Sequence, residues 1–138
     1  MSDPPLNPET LVSLRLAHLS MLQGIIDRLA GNSATAKNFC ISLATAAAAI
    51  ALAENFPDLL WLAAVVIAFF ASLDAYYLAL ERAFRDTYSI VEARPLSAAS
   101  DLSIGRGPIR LISALTSPSI WLFYLPQLGI VVAVGLLH

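Results

Sequence analysis

The chain has 138 residues, 58% of them hydrophobic and 13% charged, against roughly 45–50% and 25% in soluble domains. That composition excludes a soluble domain and intrinsic disorder. A formal net charge of −2 excludes a polycation built for nucleic acid, and a single cysteine, Cys40, excludes an internal disulfide framework or a structural zinc site. What remains is an integral membrane protein, and the helical runs that follow predict an all-α, homo-oligomeric one.

Residues 1–33 read as an N-terminal cytoplasmic region. MSDPPLNPET has neither the basic start nor the apolar stretch of a secretory signal. Asn7-Pro8-Glu9 instead supplies a cap, a proline for the first turn and an acid for the helix dipole. A helix is predicted from about Pro8 to Leu29, ending near Gly31-Asn32. Leu11, Leu14, His18, Met21, Leu22, Ile25 and Leu29 follow helical spacing, with Arg15, Asp27 and Arg28 off that line. The stripe predicts an amphipathic helix packed against a sister subunit or the chain's other helices. A helix lying flat on the membrane would carry more lysine and arginine.

Residues 34–80 are predicted to form a transmembrane hairpin. The first span, about 36–54, is uncharged between Lys37 and Glu54. It reaches about 24 Å, so the two end residues would snorkel to cover a core about 30 Å thick. The second, about 59–80, is interrupted only by Asp74. Residues 81–116 read as a cytoplasmic helix and loop. Glu81–Arg85 and Arg82–Asp86 are i,i+4 pairs, Pro95 ends the helix, and SAASDLSIGRGPIR has loop composition. A third span, 117–138, opens at Ser117-Pro118, with Pro126-Gln127 predicting a kink. All eight basic residues precede the first span or fall between the second and third, while the ENFPD loop carries only acids. The positive-inside rule therefore puts the N-terminus and residues 81–110 in the cytoplasm, and ENFPD and His138 outside.

No enzyme motif is present: there are two histidines, His18 and His138, and no glycine-rich phosphate loop. No catalytic residue, metal ligand or cofactor is predicted. Thr35, Asn38, Ser42, Thr45 and Ala49 recur at alternating spacings of three and four, which places them on one face of the first span. Small hydroxylated residues in a membrane helix promote close helix packing. The same stripe, arranged around an axis by several copies, would line a wet pore. Asp74 is costly inside a span, by about 2.5–3.5 kcal/mol on insertion scales. It is expected either to pair with Lys37, or bond Asn38, Tyr76 or Tyr77, or to serve with Lys37 as an intramembrane gate. Arg106 and Arg110 would suit phosphates or, equally, anionic lipid headgroups.

MLQGIIDRLAGNSATAKNFCISLATA and, after the hairpin turn, LDAYYLALERAFRDTYSIV resemble a group of small bacterial membrane proteins from phage-defence islands, the SLATT-like effectors. Within that group the chain resembles the channel subunits of Hailong-type defence systems. The likeness spans Leu19 to Val91 and is carried by Arg28, Gly31-Asn32-Ser33 and Lys37, and by Leu73-Asp74-Ala75-Tyr76-Tyr77 with Glu81-Arg82. It implies a homo-oligomeric channel, expected to be a tetramer, in the bacterial inner membrane. That channel would act in abortive infection under control of a nucleotide or short single-stranded DNA made by a partner nucleotidyltransferase. Arg28, Lys37, Arg82, Arg85, Arg106 and Arg110 would be the phosphate partners. The competing expectation is a non-conducting membrane anchor that recruits a soluble partner through the N-terminal helix. A transporter is disfavoured because no inverted repeat is visible.

Overall fold

The computed structural model describes residues 7–54, 56 and 58–137, apart from the side chain of Leu137. His138, expected on the outer side, and Asn55 and Pro57 of ENFPD lie outside the described residues. Among the described residues the chain is helical, with no strand: α1 is Pro8–Ala53, α2 Asp58–Ala93, α3 Leu111–Leu115 and α4 Pro118–Leu137, with a short 3-10 turn at Leu96–Ala98. Three of these, α1, α2 and α4, are long and apolar enough to cross a membrane.

Helix α1 starts as its sequence predicts. Asn7 accepts the Glu9 N–H at 3.4 Å and Pro8 opens the first turn. It does not end near Gly31-Asn32. The helix runs through both residues, so the N-terminal helix and the first span are one rod of 46 residues, about 69 Å long. The reason is packing. His18, Leu22 and Ile26 before the glycine and Ala36, Cys40 and Ala44 after it are buried in the same register. Tertiary support on both sides outweighs the roughly 1 kcal/mol that a helical glycine costs.

That register packs α1 against α2. Lys37 meets Asp74 and Arg15 meets the backbone of residues 92–95, so the helices run antiparallel for most of their length. Arg15 donates to the carbonyls of Glu92 (3.4 Å), Arg94 (3.0 Å) and Pro95 (2.9 Å). The last turn of α2 has no basic residue of its own. Arg15 supplies the cation that a helix C-terminus favours, from a residue some 80 positions away. Helix α2 continues past the second span and ends before Pro95, as the proline predicts, and Glu81 pairs with Arg85 as expected. The expected Arg82–Asp86 pair does not form, because Arg82 turns to Ser113 and Ser117.

The 99–110 segment folds back on α2. Gly107 donates to the Ala83 carbonyl at 3.4 Å, and a Cβ at position 107 would stand 3.2 Å from that oxygen, so glycine permits the approach. Arg82 then fixes the start of α4, donating to Ser113 O (3.2 Å) and Ser117 Oγ (2.9 Å). Helix α4 runs back antiparallel to α2 until Gly135 meets Leu60. Its 20 residues span about 30 Å, the thickness of a hydrocarbon core. The helix continues through Pro126. Gln127 Nε2 donates to the Phe123 carbonyl at 3.3 Å, beside the Leu122 carbonyl that proline deprives of its i+4 donor. Trp61, Val65 and Phe69 of α2 and Leu122 and Ile130 of α4 point outward. A water-facing surface would not carry so continuous an apolar cover.

Candidate functional site

Where α1, α2 and α4 meet, the apolar bundle encloses a polar cluster. Asp74 is 0% exposed. The Lys37 ammonium lies 2.6 Å from Asp74 Oδ2, and Ser33 donates its hydroxyl to Asp74 Oδ1. Lys37 also donates to Ser33 Oγ at 3.0 Å, so the three groups close a ring. Ser33 and Lys37 are one turn apart on α1, which brings both to the same point on α2. The Phe123 ring of α4 sits 5.8 Å from the ammonium, within cation–π range.

The pairing of Asp74 with Lys37 is the one expected from the scarcity of charge. The hydroxyl partner is Ser33, however, and neither Asn38 nor Tyr76 nor Tyr77 bonds the carboxylate. Two further polar groups from α4 approach the cluster. Gln127 Oε1 accepts from Cys40 Sγ at 3.6 Å, and the Tyr124 hydroxyl, on a residue 4% exposed, has no partner among the described residues. The eight residue steps from Asp74 to Arg82 are about 12 Å of helix, so the cluster sits well inside the apolar zone. An uncompensated charge there would be strongly disfavoured. The ring of ammonium, carboxylate and hydroxyl offsets part of that cost.

The stripe of Thr35, Asn38, Ser42, Thr45 and Ala49 lies elsewhere. All five are exposed, and at 100° per residue they stand about 180° from the buried line of Leu22, Ala36 and Cys40. Thr35 and Ser42 donate back to the Gly31 and Asn38 carbonyls, at 2.9 and 3.0 Å. Asn38 and Thr45 use their side chains in no hydrogen bond among the described residues. The chain's own helices therefore leave this polar face open.

The six predicted phosphate partners do not converge. Lys37 is held in the cluster and Arg82 is committed to the start of α4. Arg85 pairs with Glu81 at 2.8 Å while remaining 62% exposed. Arg28 and Arg106 are exposed. Arg110 shares a cleft with Arg82 and Asp86. Sequence reasoning missed Ser33 and Tyr124, whose hydroxyls carry no charge to mark them, and Arg15, whose partners are distant in the chain. No family model, curated protein or solved structure matches the chain.

Proposed function

We propose that this chain is one subunit of a homo-oligomeric ion channel in the bacterial inner membrane, with its N-terminus in the cytoplasm. The observation that carries the reading is the exposed face of α1. An asparagine amide, a threonine and a serine face outward from an apolar span, where lipid offers no hydrogen bonds. Several α1 helices around an axis would turn that face to water and line a path with Thr35, Asn38, Ser42, Thr45 and Ala49. The Lys37–Asp74 ring, behind the lining, holds α1 against α2. Its opening would let α1 rotate, and in that sense it is the gate.

The likeness to SLATT-like effectors supports an abortive-infection role in which a nucleotide or short single-stranded DNA keeps the channel shut. Arg28, Arg85 and Arg106, which are not tied to other helices, are its phosphate partners in that scheme. The anchor alternative is weakened because His18, Leu22 and Ile26 of the N-terminal stripe are already buried in the bundle.

Planar-bilayer conductance of the purified protein, with and without nuclease treatment, tests the proposal. Currents that Asn38→Leu abolishes are expected, and bilayers silent in both conditions would refute conduction. Affinity for a short single-stranded DNA should fall with salt, with a slope of about −0.7 per phosphate neutralised. A salt-independent affinity would remove the nucleic-acid ligand.

A further inference from the structure

At the junction of α2, α3 and α4 the fold builds a cleft of about 210 Å³. Its floor is Ala79 and Ala83 of α2, whose short side chains let a ligand approach the helix. Arg82 and Asp86 rise from the same helix, and Arg110 and Ser113 close the other side. Arg82 spends one N–H on Ser113 O and one on Ser117 Oγ, so three of its five donors remain. Arg110 is exposed, and its guanidinium enters no hydrogen bond or ion pair among the described residues. Two guanidiniums against one carboxylate leave the cleft with one positive charge.

The surroundings indicate where such a ligand comes from. Helix α3 and its flanks present Leu111, Ile112 and Leu115 outward, with Ile112 79% exposed, and Trp121 and Leu122 follow on the first turn of α4. An exposed tryptophan beside a cationic site at the start of a span marks the headgroup level of a bilayer. We infer that the cleft binds the headgroup of an anionic phospholipid in the leaflet on the α3 side, cytoplasmic in the proposed topology. The singly charged phosphodiester sits between Arg82 and Arg110, and the acyl chains lie along Ile112 and Leu122. Asp86 accepts from headgroup hydroxyls, so a lipid such as phosphatidylglycerol is favoured over one that carries phosphate alone. The inference rests on membrane insertion and not on conduction. It assigns Arg82 and Arg110 to lipid and takes them out of the set open to a soluble ligand.

Native mass spectrometry of the purified full chain, released from nanodiscs of equimolar phosphatidylglycerol and phosphatidylcholine, tests it. Wild-type protein should retain phosphatidylglycerol preferentially, and Arg110→Ala should cut that retention about fivefold, the value of one basic residue at a membrane surface. Arg110→Lys should restore part of it, and Arg94→Ala, at a basic residue that pairs with Asp101 and does not line the cleft, should leave it unchanged. Equal retention by wild type and Arg110→Ala, an equal loss in Arg94→Ala, or equal retention of phosphatidylcholine would overturn the assignment. Inorganic phosphate at millimolar concentration should not displace the lipid. Displacement would make the cleft a soluble-phosphate site and refute a lipid site. Size exclusion of each variant confirms folding, and Arg110 bonds nothing in the protein whose loss would disturb it.

Discussion

The Lys37–Asp74 ring predicts an asymmetry between its two charges. Lys37→Met would strand a carboxylate that is 0% exposed, with only the Ser33 hydroxyl hydrogen-bonded to it. Removing one partner of a buried ion pair costs about 3–5 kcal/mol. Asp74→Asn would strand an ammonium that is 21% exposed and keeps Ser33 Oγ at 3.0 Å and the Phe123 ring. Its flexible stem can carry the charge toward the headgroups, so the expected cost is about 1–2 kcal/mol. The double variant Lys37→Met, Asp74→Asn leaves no buried charge and should cost about 2–3 kcal/mol less than the sum of the singles. Reversible unfolding in mixed micelles by dodecyl sulfate titration, followed by helical circular dichroism, measures all three. A cost for Asp74→Asn equal to or above that for Lys37→Met, or strict additivity, would refute the ring. If the pair is also the gate, Asp74→Asn should insert and assemble yet conduct differently.

Arg15→Ala should destabilise the last turn of α2 by about 1–2 kcal/mol. Hydrogen exchange at residues 90–95 should quicken while the Lys37 region stays protected. Gly31→Ala has open space for its Cβ and should stabilise the isolated hairpin by about 0.8–1 kcal/mol. A loss of assembly on crosslinking in the same variant would show that a second copy closes on that face. Asp101 has its carboxyl held below the ordinary value by the Ser103 hydroxyl and backbone N–H and by Arg94. Its hold on the loop is therefore complete above the ordinary value of 3.8 and is lost as pH falls through the lowered one. Exchange of the Ser103 amide, which donates to Asp101 at 3.1 Å, should quicken there, and Asp101→Asn should flatten that response.

Much of this fold is written in local signals. Ser117-Pro118 starts α4 and Pro95 follows the end of α2, because a proline acts on its own turn. The partner of Asp74 was legible because so few charges lie near it along the spans. Three features were not. The continuity of α1 depends on packing either side of Gly31, and a glycine–asparagine pair in isolation reads as a stop. Ser33 is one hydroxyl among several, distinguished only by facing α2. Arg15 looks like solvated charge until α2 is folded back to meet it. In each case the deciding partner is in another helix.

The absence of a break at Gly31 has a mechanical consequence. From Lys37 back to Pro8, α1 is a continuous arm of 30 residues, about 44 Å long. A tilt of about 10° at the level of the Asp74 ring sweeps the tip by roughly 8 Å. Because Arg15 ties the arm to the end of α2, such a tilt would carry that end with it or break its three hydrogen bonds.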